Sequence, residues 1–248
     1  MVALASGTLG SSEPGAARCL WAATGRAGGS STGVYQSLNL AEYVGDDAGA
    51  VAENRRRAVG LVGVGVDGLA VMGAVHGASV GVVSCGGVVA GVDALVTASK
   101  GIALLALAAD CVPLVLADAR AGVIAAVHCG WRGVGAGVVA AAVATMRELG
   151  AVSIEAVVGP AICAGCYPVP AERTEYLREL APTEVSDVAC IDRAGGSFID
   201  VRAGVSVQLA LLDIEANHVK ACTNESTDLF SYRRDTVTGR QGMIISRA

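Results

Sequence analysis

His76 and His128 each close an apolar run and stand close to a glycine, in Ala74-Val75-His76-Gly77 and Ala126-Val127-His128-Cys129-Gly130. A nearby glycine removes side-chain bulk, so each imidazole can approach a ligand. Cys111, between Asp110 and Val112-Pro113, ends a third apolar run. Two imidazoles and one thiolate suit zinc and leave a fourth position for water or substrate, which is the catalytic arrangement. Spacing does not assemble them: Cys111 lies 35 positions after His76 and His128 a further 17 along, which matches no local zinc-finger pattern. Taken singly, each histidine is also accounted for as a core residue donating to a backbone carbonyl, and Cys111 as a small hydrophobe. On the residues alone both accounts stay open.

Other groups carry weaker chemistry. Trp131-Arg132 follows His128, so an aromatic plane and a guanidinium fork can face the same pocket. Cys163-Ala164-Gly165-Cys166 has chelating or redox spacing, yet no second pair stands at matching spacing. It reads as a turn that projects Tyr167. Gly28-Gly29-Ser30-Ser31 lacks the Gly-Lys-Ser/Thr ending of a phosphate loop and reads as a loop. Ser231-Tyr232-Arg233-Arg234, with Arg240 nearby, resembles a phosphate cluster but is read as a solvated basic edge.

These residues need strand ends to hold them. Cys19 to Thr24 suits a strand and Gly25 to Gly33 a loop, and Asp46 opens a helix that runs to Val59. Ala70 to Val96, rich in valine and broken by glycine, describes short strands and tight turns. Leu104 to Ala108, Val112 to Ala117, Val123 to His128 and Ile154 to Val158 read as strands, with Gly133 to Leu149 a helix closed by Gly150. Thr174 to Leu180 and Val201 to Asp213 look helical, and Val219 to Ala221 and Met243 to Ile245 look like strands. The alternation means α/β layers.

The 248 residues suit one domain, residues 19–248, behind a flexible leader over residues 1–18. A formal charge of -5, with the basic residues scattered, offers no attraction for phosphate backbones or anionic lipid, so nucleic acid and membrane are not expected partners. The start lacks a basic segment followed by an apolar one, and Ile102 to Ala117 is broken by Asp110 and Pro113. The expectation is a cytoplasmic protein whose eight cysteines are reduced. No protein partner is predictable.

The ordered motifs resemble one family. They run through Thr24-Gly25-Arg26-Ala27-Gly28-Gly29-Ser30, Ser37-Leu38-Asn39-Leu40, Val44-Gly45-Asp46-Asp47 and Glu53-Asn54-Arg55 to Val75-His76-Gly77. Ala109-Asp110-Cys111-Val112-Pro113, His128-Cys129-Gly130-Trp131-Arg132-Gly133, Gly159-Pro160 and Cys166-Tyr167 continue the order. Cys222-Thr223, Phe230 to Arg234 and Thr238-Gly239-Arg240-Gln241 complete it, so the likeness covers roughly residues 20 to 246. The chain thus resembles the YfiH-like proteins, also called multicopper polyphenol oxidase or laccase-domain proteins. Ala74, where that family usually has Gln, and Cys129, where it usually has Ala, are departures. The first alters substrate contacts, and the second adds a thiol near the metal that can bind copper or oxidise.

The resemblance implies a single layered α/β/β/α sandwich with zinc, or copper in its place, on His76, Cys111 and His128, which are also the expected catalytic residues. It implies substrate-binding roles for Asn39 and Arg55, and Arg55 or Arg132 would hold phosphate. The implied activity is phosphorolysis of purine nucleosides, with adenosine deamination and methylthioadenosine phosphorolysis at the same site. Asp110 or an imidazole would relay protons. Three rivals stand beside this: copper-dependent phenol oxidation, hydrolysis of peptidoglycan precursors by a Cys111 nucleophile, and a zinc-stapled protein that binds a partner without catalysis.

Overall fold

Successive residues of the central strands enter different cores, and this alternation sets the architecture. The computed structural model describes residues 3–10 and 17–247. One six-stranded sheet runs, in spatial order, Ala3–Leu9 (β1), Cys19–Thr24 (β2), Gln241–Arg247 (β15), Ala103–Ala108 (β7), Leu69–Gly73 (β3) and Gly87–Ala90 (β5). The other runs Ala216–His218 (β14), Glu155–Val158 (β10), Val112–Asp118 (β8), Val123–Cys129 (β9), Ala94–Thr97 (β6) and Val80–Val82 (β4). Leu104 and Ala106 of β7 face Val115 and Ala117 of β8 and Ile124 and Ala126 of β9 in a core between the sheets.

The alternate residues build the two outer layers. Leu105 and Leu107 turn away from that central core and pack with Ala58 and Val59 of helix Ala48–Gly60 (α1). Leu114, Leu116, Ala125 and Val127 turn the other way, onto helices Trp131–Gly135 (α2), Val138–Glu148 (α3), Thr183–Ala189 (α5) and Val201–Ala210 (α6). Helix Ala171–Leu180 (α4) adds Leu177 to the same layer. The result is the α/β/β/α sandwich. Truncating a residue such as Ile124, fully buried between the sheets, costs about 2–5 kcal/mol. A small sheet of Cys190–Arg193 (β12), Gly196–Ile199 (β13) and Pro168–Val169 (β11), and a short helix Tyr232–Asp235 (α7), complete the fold.

The differences from the sequence reading have local causes. Ala3–Leu9 is not frayed: it pairs antiparallel with β2 and covers the sheet edge, while residues 1–2 and 11–16 of the expected leader lie outside the described residues. The helix expected from Asp46 begins at Ala48, because Asp47 is its N-cap, accepting from the Ala50 N–H at 2.7 Å. Gly133 to Leu149 is two helices rather than one, divided at Gly137, whose φ of +78° is left-handed. The strand expected at Val219 to Ala221 lies three residues earlier, where Ala216–His218 pairs in parallel with β10. Among the described residues no helix is long and apolar enough to cross a membrane.

From β3 to β8 the chain passes between the two sheets at every step. The crossovers at residues 74–79, 91–93 and 109–111 therefore fall at one end of the sandwich, and they carry His76, Asp93 and Cys111.

Candidate active site

Asp93 organises that end. Its fully buried carboxylate accepts the N–H groups of Val75 at 3.0 Å, His76 at 2.6 Å and Gly77 at 2.9 Å. Three successive amides converge on one anion because His76 has a left-handed backbone, φ +64°, which folds the loop into a concave nest. The Asp93 carbonyl also accepts the N–H of His128 at 2.7 Å, so one residue sets both histidine-bearing segments. Sequence reasoning missed Asp93. Its only signal was an acid between Val92 and Ala94 within an otherwise apolar strand segment.

One ligand atom from each of His76, Cys111 and His128 lies within 4.8 Å of the others. The two imidazoles meet edge to face, with ring centroids 5.0 Å apart. Nδ1 of His128 lies 2.8 Å from the Leu107 carbonyl, which can only accept, so Nδ1 carries the proton and Nε2 bears the lone pair. That Nε2 is buried and has no hydrogen-bond partner among the described residues. Burial, and then the nearby His76, push the His128 pKa down to about 4, so the ring is neutral at neutral pH. Desolvation and Asp110 push the Cys111 thiol up to about 12, so the protein without metal holds a thiol and metal binding displaces its proton. An orphaned, correctly tautomerised nitrogen beside a second imidazole and a sulfur fits a divalent metal. Gly130 leaves room for this, since a Cβ there would sit 2.7 Å from Cδ2 of His76 and 3.4 Å from the Cys111 sulfur.

The cluster opens into a cavity of about 890 Å³ with tyrosines 43, 167 and 232 and Trp131 on its walls. Such a volume admits a ligand of nucleoside size. Three arginines line it, each against an aromatic ring: Arg173 over Trp131 at 5.3 Å, Arg233 over Tyr167 at 4.9 Å, and Arg240 between Tyr43 at 6.0 Å and Tyr232 at 5.8 Å. Aromatic faces and guanidinium forks together suit a ligand with a flat heterocycle and an anionic group. Ala74 lies on the wall as well.

Several residues singled out in the sequence take other places. Asn39, Arg55 and Arg132 do not line the cavity. Asn39 is fully buried; its Oδ1 accepts from the Arg240 N–H at 2.9 Å and its Nδ2 donates to Asp46 at 2.9 Å, so it fixes the backbone from which Arg240 projects. Arg55 is buried and donates to the Leu40 carbonyl at 2.8 Å and to Glu42 at 2.5 Å, tying down the segment before Tyr43. Arg132 is exposed and stacks on Trp131 at 5.1 Å. Arg233 and Arg240 line the cavity, whereas Arg234 clamps the carbonyls of Thr223, Ser226 and Leu229. The segment is therefore a cavity wall and not a solvated basic edge. Nor is Gly28 to Ser31 a phosphate cradle: the amides of Gly29, Ser30 and Ser31 donate to Ser37 Oγ, Asn54 Oδ1 and the Ser37 carbonyl.

Asp110 and Cys129 adjoin Cys111 and His128 in sequence. The Asp110 carboxylate accepts from Thr223 Oγ1 at 2.6 Å, Ser231 Oγ at 2.7 Å and the Arg233 N–H at 2.6 Å, and φ is +105°. Occupied this way, it anchors three segments around Cys111 on the cavity wall. Cys129 follows His128 on β9, so its side chain points to the opposite face and is fully buried in the helix-side core. It is not a cavity thiol, and desolvation raises its pKa.

The family described as multi-copper polyphenol oxidoreductase laccase matches residues 20–248. The chain is 46% identical over 223 residues to a purine nucleoside phosphorylase of Streptomyces coelicolor, covering 88% of this chain and 90% of that one. It is 34% identical over 219 residues to an adenosine deaminase of an unknown prokaryotic organism, covering 81% and 82%. The crystal structure of YfiH from Bacillus licheniformis superposes with a TM-score of 0.86 over 94% of this chain and 97% of that one, at 23% identity, a likeness of fold.

Proposed function

This chain belongs to the multi-copper polyphenol oxidoreductase laccase family, and from that premise we propose that it is a zinc-dependent purine nucleoside phosphorylase, with adenosine deamination and methylthioadenosine phosphorolysis as side activities. The observation that carries the reading is the His76, Cys111 and His128 donor set, with the orphaned Nε2 of His128, at one wall of a cavity lined by aromatic rings and three arginines. The purine nucleoside phosphorylase and adenosine deaminase relatives support the substrate class.

His76, Cys111 and His128 would hold the metal, with Asp93 and the Leu107 carbonyl fixing the two imidazoles. Zinc held by these residues would supply Lewis acidity toward phosphate or water. Arg233 and Arg240 hold phosphate oxygens through paired donors. The purine stacks on the aromatic wall, and Ala74 widens the space beside it. In phosphorolysis a phosphate oxygen forms a bond to the anomeric carbon. The carbon–nitrogen bond to the base breaks, its electron pair leaves on the purine, and a proton from solvent or phosphate completes the free base. In deamination water adds to the ring carbon bearing the amine and ammonia leaves.

The rivals are less well supported. Three histidines, with His218 exposed on β14, do not compose a multicopper set. A Cys111 thiol with its pKa pushed up to about 12 is a poor nucleophile for a hydrolase. A three-donor site that faces a cavity suits catalysis better than a structural staple.

The test is metal content together with chromatographic assay of adenosine and inosine, with and without phosphate. Zinc in the protein and phosphate-dependent release of free base, both lost in folded His76→Ala and Cys111→Ala variants, are the expected results. Full turnover by protein freed of metal would overturn the reading.

A further inference from the structure

A second group of donors stands outside the machinery described above. Cys163 caps and Cys166 closes a single 3-10 turn, Ala164–Cys166, and Cys222 and Glu225 stand at the same spacing in a second turn. The ligand atoms of all four lie within 4.8 Å of one another. Sequence reading missed the pairing because the second pair carries a carboxylate in place of its second thiol. We propose that Cys163, Cys166, Cys222 and Glu225 form a structural zinc site that fastens the wall of the cavity.

The backbone brings the two turns together independently of any metal. Ala161 and Cys222 form a parallel bridge, with the Ala161 N–H donating to the Ala221 carbonyl at 3.3 Å and the Thr223 N–H to the Ala161 carbonyl at 3.2 Å. The Cys163 N–H points at the Cys222 sulfur, 3.3 Å away, an amide-to-sulfur contact that stabilises a ligating thiolate. Glu225 accepts from the sulfurs of both Cys163, at 3.7 Å, and Cys166, at 3.4 Å. A disulfide would engage two of the three sulfurs and leave the third and the carboxylate without a part in it. Three thiolates and a carboxylate are instead a complete tetrahedral set for zinc. On binding, each thiol releases its proton to solvent. With all four positions supplied by protein the site is closed, which is the structural arrangement.

Its place in the fold says what it would hold. Ile162 and Tyr167, on either side of the first turn, line the cavity. Thr223, inside the second, donates to the Asp110 carboxylate beside Cys111. Zinc here would couple the Tyr167 wall to the Asp110 anchor. This inference does not depend on the reaction assigned to the cavity.

The experiment counts zinc per chain by mass spectrometry in the full-length protein, purified with reductant and dialysed against zinc and then buffer. Two per chain are expected in the wild type, one in His76→Ala/Cys111→Ala, and one in Cys166→Ser/Cys222→Ser. Cobalt substitution reads the same difference in the two variants: the thiolate-to-metal absorption should be roughly three-fold stronger at the proposed site, with three thiolates against one. A wild type whose single zinc is lost in His76→Ala/Cys111→Ala overturns the proposal. So does a His76→Ala/Cys111→Ala protein that retains none, which decides the matter even where Cys166→Ser/Cys222→Ser fails to fold. Wild-type stoichiometry in folded Cys166→Ser/Cys222→Ser, or a native disulfide among the three cysteines, overturns it as well.

Discussion

The carboxylate of Asp93 holds the backbone of His76 in the left-handed region, accepting its N–H at 2.6 Å while His76 has φ +64°. The conformation is unfavourable for a residue with a Cβ, so the anion and its three amides must stabilise it. Asp93→Asn keeps the shape but turns an N–H₂ toward N–H donors. Zinc affinity, measured by competition with a chromogenic chelator, should fall about 10–100-fold, and stability by about 2 kcal/mol. Unchanged affinity in the folded variant would show that the nest does not position His76.

Gly130 is a space requirement of the metal cluster. An alanine Cβ there would contact the His76 ring at 2.7 Å, well inside van der Waals distance, while the neighbouring core residues stay as they are. Gly130→Ala should retain its circular dichroism spectrum and lose bound zinc. A variant with full zinc content would mean that the His76 ring can move aside without cost to ligation.

The arginines separate into two classes by their partners. Arg240→Ala or Arg233→Ala removes a charged donor from the cavity and should raise the KM for phosphate about 10–100-fold, at 1.5–3 kcal/mol per charge-assisted contact. Arg55→Ala should instead lower the unfolding midpoint, because it leaves the Leu40 carbonyl without its donor and releases Glu42. Arg132→Ala should change the KM for phosphate by no more than about two-fold, an outcome read from the same steady-state kinetics. A large phosphate effect at Arg132 with none at Arg233 or Arg240 would reverse the assignment.

His128 links stability to pH in the metal-free protein. Its folded pKa of about 4 lies below the ordinary value of 6.5, so between those values the unfolded chain binds more protons. Stability is therefore fully present above pH 6.5 and falls as pH drops toward 4, by roughly 3 kcal/mol in all. Urea midpoints of chelator-treated wild type should decline from pH 7.5 to 5 more steeply than those of His128→Gln. Parallel curves would place the buried imidazole's titration elsewhere.

Much of the fold was legible because its signals are local. The glycine-punctuated valine runs from Ala70 to Val96 announced short strands, and Asp46 announced the start of α1 to within two residues. The strand Ala3–Leu9 was not legible, since a glycine- and serine-rich segment is ordered there by pairing along a sheet edge supplied by β2. Arg55 and Arg240 look alike as guanidiniums in a motif. Only the packing distinguishes them: Arg55 is buried against the Leu40 carbonyl and Glu42, whereas Arg240, which donates to the Thr238 and Gly239 carbonyls, lines the cavity.

By itself the sequence determined the donor chemistry: which imidazoles and thiols exist, which of them end apolar strands, and that glycines beside them permit close approach. Tertiary structure decided which of these meet. His76, Asp93 and Cys111 converge because the chain crosses between two sheets three times at the same end, and no spacing records where those crossovers fall. His128 faces the metal cluster and Cys129 the helices because strand register turns neighbouring side chains to opposite sides, and the strand is buried on both, leaving no polar alternation to reveal which is which.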